Sequence, residues 1–160
     1  IRRRQRQMCI RDRYYLAEYS RDVVGVEVCS AIKNIYSMII GAGQSLNSSS
    51  NLFQKAVLEM RYLNRYFKGK DETILGLAGV GDLYVSAAGG RNSKMGSFLG
   101  KGLTFKTAKK RFMSRETVEG EELAREITPF ILKKIDKKKI PLMINLLKTI
   151  KENKKLKIKV

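Results

Sequence analysis

The chain has 160 residues, of which 43% are hydrophobic and 8% aromatic, and it carries a net charge of +18. This length predicts one domain with its own core and excludes two ordinary domains. Two cysteines and no histidine exclude a disulfide framework and predict no metal site. No uninterrupted apolar run is long enough to predict a membrane span. Because two cysteines give no disulfide framework, the reducing cytoplasm is the expected location.

The positive charge lies at the two ends of the chain. Residues 1–13 hold six Arg and one Asp, and residues 133–160 hold eleven Lys, one Asp and one Glu, which gives +5 and +9. Only +4 of the total remains for the middle, which is typical of a globular domain. A basic nucleic-acid-binding helical module is the alternative, but no binding motif and few interleaved aromatic residues favour it. We therefore expect no nucleic-acid partner.

The first 22 residues differ in pattern from the rest. Residues 1–13 lack hydrophobic periodicity, and their run QMCIRDR resembles the translation of a transposon-end adapter, so a non-native or disordered basic segment is predicted. A natural basic tail is the alternative. Residues 14–22 begin with YYLAEY, which predicts a single strand. Because every later segment has a helical pattern, we expect this to be the last strand of a sheet that lies upstream.

Residues 23–152 are predicted to form a helical domain. The segment 25–46 is apolar on nearly all sides, which predicts a buried central helix. Asn47 and the three serines after it predict a loop and an N-cap before an amphipathic helix over 51–67. Asp71 predicts the cap of a short helix through Leu77, followed by two glycine-rich segments around a brief apolar piece. Further helices are predicted over 93–99, 105–112, 119–135 and 141–151, with a frayed Lys-rich tail over 153–160.

Two isolated charges suggest a site. Lys33 is the only charged residue between Glu27 and Lys55, and Asp82 is the only one between Glu72 and Arg91. A buried ammonium needs a partner, so the two are expected to form a pair that is held charged or poised for proton exchange. The alternatives are a lysine that extends to water at the helix edge and an aspartate that caps a helix.

A third feature is the GGRN segment at 89–92, which immediately precedes a predicted helix. Its glycines allow a tight turn that presents backbone amides and the Arg91 guanidinium to an anion, as phosphate sites do. Glycines before a helix are common and such an arginine is usually solvated, so the segment alone is weak evidence. Together with Lys33 and Asp82 it predicts a site for a small phosphorylated substrate.

These residues, in this order, resemble the C-terminal domain of NAD(P)-dependent glycerol-3-phosphate dehydrogenase. The resemblance runs from about residue 14 to residue 147 and implies an all-α fold like the C-terminal domain of 6-phosphogluconate dehydrogenase, preceded by one strand of a missing Rossmann domain. The matching motifs are GVEVCSAIKN at 25–34, LEMRYL at 58–63, LAGVGDL at 77–83, GGRN at 89–92 and TVEG at 117–120.

The resemblance implies an enzyme that interconverts dihydroxyacetone phosphate and sn-glycerol 3-phosphate by hydride transfer with NAD or NADP. Lys33 falls on the catalytic lysine that exchanges a proton with the substrate oxygen, and Asp82 on the carboxylate that orients it and contacts substrate hydroxyls. The remaining implied positions are substrate contacts at Asn34, Ser86, Gly90, Arg91 and Asn92, and cofactor contacts at Arg91, Thr117 and Glu119.

The sequence departs from the family in two places. Gly90 stands where many bacterial members have a serine, and the spacing from Asp82 to Arg91 is shorter than theirs, so Ser86 is expected to replace the lost contact. The GxGxxG turn that binds a dinucleotide is absent. We therefore expect the substrate-binding half of an enzyme that is inactive without its Rossmann domain, with homodimer formation left open.

Two further interpretations of the sequence are disfavoured. Another dehydrogenase with the same helical second domain is disfavoured by the order of the Lys-Asn, GVGD and GGRN motifs. A purely structural dimerisation domain is disfavoured by Lys33 and Asp82, since a structural core gains stability when such a pair is replaced by apolar residues.

Overall fold

The computed structural model describes residues 18–43 and 45–158. Within these ranges the chain forms eight α-helices and one turn of π-helix, and no strand. The all-α prediction is therefore confirmed. The elements, in chain order, are α1 (Val23–Gly41), α2 (Leu46–Tyr66), α3 (Asp71–Leu75), the π turn (Leu77–Gly81), α4 (Asp82–Gly89), α5 (Arg91–Gly100), α6 (Phe105–Phe112), α7 (Glu119–Lys134) and α8 (Pro141–Glu152).

The strand predicted at the start of the chain is not seen in the part that the structure describes. Glu18, Tyr19 and Ser20 have no regular secondary structure. The rest of that strand lies outside the described residues, as do residues 1–13.

Helix α1 is the centre of the domain, as its apolar pattern predicts. It contacts α2, α3, α4, α5, α7 and α8 as well as the π turn, and nine of its residues are buried. By length and composition it is also the one helix within the described ranges that could cross a membrane, but half of that segment is buried against the other helices. The core helix of a soluble domain has the same composition, because it too is surrounded by apolar groups.

The start of α1 is fixed by Asp22. Its carboxylate accepts hydrogen bonds from the Gly25 amide at 3.0 Å, the Lys70 amide at 2.7 Å and the Thr73 hydroxyl at 2.7 Å. These bonds, led by that of Thr73, lower the pKa of Asp22 from its usual value. One side chain therefore caps α1 and ties it to α3.

Several predicted boundaries were wrong. Helix α2 begins at Leu46 because Ser45 caps it through the Ser48 amide at 3.2 Å, so residues 47–50 are helical and not a loop. The brief apolar piece after the π turn is the helix α4, and α5 begins at Arg91 and not at 93. Serine is tolerated in a first helical turn, where backbone amides have no intrahelical acceptor.

Asp71 was also predicted wrongly, as a helix cap. It is the first residue of α3, whose N-cap is Lys70, and it makes no side-chain cap. Its carboxylate instead forms ion pairs with Arg65 and Arg61 of α2. Hydrogen bonds from Arg65 and then Arg61 hold the pKa of Asp71 well below its usual value, so the carboxylate joins α3 to α2.

The described part of the Lys-rich tail, residues 153–158, is anchored and not frayed. Asn153 ends α8 in a left-handed conformation with a φ of 50°, and its side-chain oxygen accepts the Lys106 amide at 3.0 Å. The Lys157 carbonyl accepts the Asn145 side-chain amide at 2.6 Å, and Leu156 and Ile158 pack against the core. The prediction of a frayed tail did not take into account that apolar residues and lysines alternate in this segment. The alternation places the apolar side chains against the protein and the lysines in water.

Helices α1 and α5 lie so close together that neither Gly41 nor Gly96 could carry a side chain. A Cβ atom on Gly96 would lie 1.9 Å from the Met38 carbonyl oxygen, and one on Gly41 would lie 2.2 Å from the Ser93 carbonyl oxygen. Both helices therefore need glycine at this contact. The contact fixes the position of the α5 N-terminus relative to α1.

A buried carboxylate joins three helices of the core. Glu59 of α2, which is 4% exposed, accepts the Leu142 and Met143 amides at 2.7 and 3.1 Å, and the Tyr36 hydroxyl at 3.0 Å. The two amides belong to the first turn of α8, which has no side-chain cap of its own. Burial raises the pKa of Glu59 above its usual value. Glu59 thus caps α8 from a neighbouring helix and satisfies a buried tyrosine of α1.

We predict that Glu59→Ala lowers the free energy of unfolding by about 2–4 kcal/mol, because it leaves two helix amides and one hydroxyl buried without an acceptor. Urea denaturation followed by circular dichroism measures the change. The control is Glu126→Ala, which removes an exposed carboxylate and should change stability by no more than about 0.5 kcal/mol. Equal effects of the two substitutions would contradict the capping role.

Candidate active site

The charged centre of the site is an ion pair between α1 and α4. The Lys33 ammonium donates a hydrogen bond to Oδ2 of Asp82, and the two side chains are 18% and 37% exposed. The structure therefore brings together the two isolated charges that the sequence singles out. Both remain accessible from one side, so a small substrate can reach the ammonium while Asp82 still orients it.

The π turn places Asp82 opposite Lys33. The Gly81 amide donates to the Gly76 carbonyl at 3.2 Å, and a Cβ atom on Gly79 would lie 2.0 Å from the Ile74 carbonyl oxygen. The glycines of the GVGD motif therefore allow the chain to pass close to α3, and α4 then begins at Asp82. Because Asp82 makes no helix-capping bond within α4, its carboxylate is available to Lys33.

A second group of polar side chains includes Asn34, the residue after Lys33, and joins three helices. The side-chain amide of Asn92, at the start of α5, donates to Oδ1 of Asn34 at 3.2 Å and to Oε2 of Glu119 at 3.3 Å. Its oxygen accepts the Gly120 amide at 2.8 Å. Asn92 is 5% exposed, and these three bonds use both of its amide hydrogens and its oxygen. It links α1, α5 and α7 next to Lys33.

Gly120 is required at this junction. A Cβ atom there would lie 2.8 Å from the Asn34 carbonyl oxygen, 2.8 Å from Oδ1 of Asn92 and 3.0 Å from the Met38 side chain. The glycine of the TVEG motif therefore allows the first turn of α7 to touch α1. The sequence marks the motif, but nothing in it reveals this packing role.

Arg91 is held next to this junction by an ion pair. Its guanidinium donates to Oε1 of Glu119, and the two side chains are 52% and 39% exposed. Glu119 thus contacts Arg91 with one oxygen and Asn92 with the other. The sequence singles out all three residues but does not anticipate that Glu119 orients the other two.

The N-terminus of α5 adds anion-binding capacity. Gly90 occupies the N-cap position and supplies no side-chain cap, so the first amides of the helix have no acceptor from the cap residue. Such amides, with the helix dipole and the adjacent guanidinium, suit a phosphate group. Gly90 is also constrained sterically, since a Cβ atom there would lie 2.7 Å from the Ser86 carbonyl oxygen. A serine at this position could not fit without a backbone shift.

Two other predicted site residues stand apart from these contacts. Ser86 is partly buried on α4, and Thr117 is exposed just before α7. Within residues 18–43 and 45–158, no hydrogen bond joins either side chain to the Lys33 pair or to the Asn92 group. The same described ranges contain no cluster of three His, Cys, Asp or Glu residues that could hold a metal ion.

The helical fold of this chain is also found as one part of solved dehydrogenase structures. The crystal structure of glycerol-3-phosphate dehydrogenase from Coxiella burnetii superposes with a TM-score of 0.77 at 26% identity, over 95% of this chain and 49% of that one. That of the Saccharomyces cerevisiae enzyme superposes with a TM-score of 0.73 at 23% identity, over 82% of this chain and 40% of that one, which shows the fold alone.

Sequence comparison gives the family. The model for the C-terminus of NAD-dependent glycerol-3-phosphate dehydrogenase matches residues 22–160. The chain therefore belongs to this family of C-terminal domains.

The curated relatives are longer than this chain. The NADP(+)-dependent glycerol-3-phosphate dehydrogenase of Archaeoglobus fulgidus is 35% identical over 124 residues, which cover 71% of this chain and 37% of that protein. The glycerol-3-phosphate dehydrogenase of Phytoplasma australiense is 41% identical over 98 residues, covering 57% of this chain and 30% of that protein. The matched parts thus span about a third of these relatives.

We predict that Asn92→Ala lowers the free energy of unfolding by about 2 kcal/mol, because it breaks three hydrogen bonds and leaves the Gly120 amide buried without an acceptor. Thermal or urea unfolding checks this value. Asn47→Ala removes an exposed side chain from α2 and serves as the control, with an expected change below about 0.5 kcal/mol. A loss for Asn92→Ala no larger than that of the control would show that the junction does not hold the three helices together.

Proposed function

We propose that the chain supplies the substrate-binding and catalytic domain of a glycerol-3-phosphate dehydrogenase. The enzyme would interconvert dihydroxyacetone phosphate and sn-glycerol 3-phosphate. The observation that carries the proposal is the accessible Lys33 and Asp82 pair beside a basic helix N-terminus, in a domain of this family.

In this proposal Lys33 is the general acid of the reduction. Its ammonium gives a proton to the carbonyl oxygen at C2 as a hydride arrives at that carbon, and in the oxidation the neutral amine takes the proton back. Asp82 holds the ammonium in place through its hydrogen bond and balances its charge when the site closes. Asn34 follows Lys33 on α1, and its contact with Asn92 keeps that end of the site fixed.

The substrate phosphate would be bound at the α5 N-terminus. Arg91 offers its guanidinium, and the first amides of α5 point in the same direction as the positive end of the helix dipole. We assign Asn92 a contact through its backbone amide, because its side-chain amide is already bonded to Asn34 and Glu119. Ser86, one turn before Gly90, is proposed as an additional hydroxyl donor to the substrate.

The nicotinamide dinucleotide, NAD or NADP, supplies the hydride when bound. The exposed side chains of Arg91 and Thr117 fit the edge of such a ligand, because a group held by another domain can reach them from solvent. Glu119 would position Arg91 for this contact. The greater part of the cofactor site is proposed to lie in a dinucleotide-binding domain outside these 160 residues, since no GxGxxG segment is present in the sequence.

We also propose an activity state for the isolated chain, and a location and an assembly state for the enzyme. The chain alone would be inactive, because it lacks a cofactor-binding turn. We propose a cytoplasmic enzyme, although one relative, from Leishmania mexicana, is glycosomal by name. We propose that the enzyme assembles as a homodimer.

The test is to fuse the dinucleotide-binding domain of the Archaeoglobus fulgidus relative ahead of residue 22 and to measure dihydroxyacetone phosphate-dependent oxidation of NADH and NADPH. We predict activity in the fusion and a loss of kcat of about 10²–10⁴-fold in Lys33→Ala, the range expected when a general acid is removed.

The matched control is Lys110→Ala, which removes an exposed lysine from α6 and should leave kcat unchanged. Circular dichroism of both variants verifies that they are folded. An active fusion whose kcat survives Lys33→Ala would refute the catalytic assignment. A folded fusion that neither turns over nor binds the substrate would refute the enzyme assignment itself.

A further inference from the structure

The C-terminal end of the domain carries a dense group of exposed lysines on an ordered surface. We name it the C-terminal basic surface and define it by the five lysines between Leu147 and Ile158 in α8 and the tail, together with one lysine of α6: Lys148, Lys151, Lys154, Lys155, Lys157 and Lys106. All six side chains are exposed.

Hydrogen bonds hold the tail against the helix. The Lys154 amide donates to the Thr149 carbonyl at 3.1 Å, and the Asn145 side chain donates to the Lys157 carbonyl at 2.6 Å. The tail therefore turns at Asn153 and runs back along α8. The Lys106 amide bonds to Asn153 at 3.0 Å, which brings the start of α6 to the same place.

The apolar residues of the tail turn inward. Leu156 and Ile158 pack against the core, while Lys155 and Lys157 between and beside them face water. A free tail would spread its charges in solution, whereas this anchoring keeps Lys154, Lys155 and Lys157 beside Lys148. Concentrating like charges is unfavourable for the folded chain by itself, so a surface of this kind suits an anionic partner.

The surface contains one acidic side chain, Glu152, which pairs with Lys154 at 2.7 Å. The hydrogen bond and charge of Lys154, together with the charges of Lys148 and Lys151, lower the pKa of Glu152. One carboxylate among six lysines leaves a strong positive excess.

The chemistry of the surface indicates the kind of anion. The six cations that define it are all lysines, with Arg125 of α7 as the one neighbouring arginine among the residues that line a cavity next to Lys151, and no aromatic residue lies beyond Phe130. Base recognition and base stacking in nucleic-acid sites rely on arginine and exposed aromatic rings. Lysine point charges on the side of a helix and an adjacent extended segment instead suit a plane of phosphate groups.

We propose that the C-terminal basic surface binds an anionic membrane surface electrostatically, without inserting into it. Lysines near anionic lipid headgroups each contribute about fivefold to binding at moderate ionic strength. With the apolar tail residues facing the core, binding depends on charge alone and weakens as salt is added. The surface contains no residue of the candidate active site, so this proposal stands or falls independently of the proposed activity.

The test is co-sedimentation of the full chain with vesicles of phosphatidylcholine and phosphatidylglycerol in equal parts, compared with vesicles of phosphatidylcholine alone. We expect binding to the anionic vesicles only, with a decrease as salt is raised. The triple variant Lys148→Gln, Lys151→Gln, Lys155→Gln should lose about 100-fold in vesicle binding.

The matched control is Lys133→Gln, Lys134→Gln, Lys138→Gln, which removes three exposed lysines around the start of α8. Lys148 and Lys151 lie seven and ten residues beyond the start of α8, a rise of about 10–15 Å along the helix, which exceeds the screening length of about 8 Å at physiological salt. Both triples keep the arginines of residues 1–13, so any contribution from that segment is the same. We expect the control to keep most of its vesicle binding.

Three results would overturn the proposal. The first is no difference between anionic and neutral vesicles. The second is an equal loss in the two triple variants, which would show a response to net charge and not to this surface. The third is displacement of the chain from vesicles by a mixed-sequence RNA at an equal concentration of phosphate, which would identify a nucleic acid as the preferred partner.

Discussion

The constraint on which this domain depends is the presence of one charged group in the middle of an apolar central helix. Helix α1 contacts six other helices, yet Lys33 lies halfway along it. An ammonium in such a place needs both a counter-charge and a path to water. The π turn and α4 supply the first through Asp82, and the domain leaves one side of the pair open to solvent.

The same helix organises the rest of the candidate site through its next residue. Asn34 contacts Asn92, which also bonds to the first turn of α7, so three helices meet beside Lys33. Glycines make this convergence possible, because Gly96 and Gly120 bring α5 and α7 to within contact of the α1 backbone. The spacing between the ion pair and the basic helix N-terminus is therefore set by backbone packing, which is stiffer than side-chain contact alone.

Hydrophobic pattern predicted most of the fold. The helices over 105–112 and 141–151 are observed almost as expected, and the central helix exists but ends at Gly41 and not near Leu46. Long apolar periodicity dominates local preferences and predicts that a helix exists better than where it ends. The errors cluster where polar residues decide the boundaries. Serines after Asn47 favour a loop by composition, but Ser45 had already provided the cap. The ordered tail was missed because the sequence does not show that Leu156 and Ile158 have a surface to pack against.

The candidate site was predictable in its charged residues and not in its connections. Lys33 and Asp82 stand out because each is isolated among apolar neighbours, and the structure pairs them. Glu119 and Asn92 were singled out only through resemblance, and their mutual contacts depend on three helices meeting. Glu59 could have been noticed from spacing alone, since it lies on the buried stripe of α2 with Ala56, Met60 and Leu63. The Leu142 and Met143 amides, which the Glu59 carboxylate accepts, are 83 and 84 residues away along the chain. No local sequence pattern reveals such distant partners.

The central claim is that Lys33, Asp82 and the α5 N-terminus form one site for a small phosphorylated substrate. The most direct measurement is a titration of the isotopically labelled chain with sn-glycerol 3-phosphate, followed by the backbone amide signals in NMR spectra. Signals of residues 33, 34, 82 and 91–93 should shift together and saturate, and glycerol without phosphate should move them far less. Shifts confined to the lysines of residues 148–157, with the signals at residue 33 and at the start of α5 unchanged, would contradict the claim.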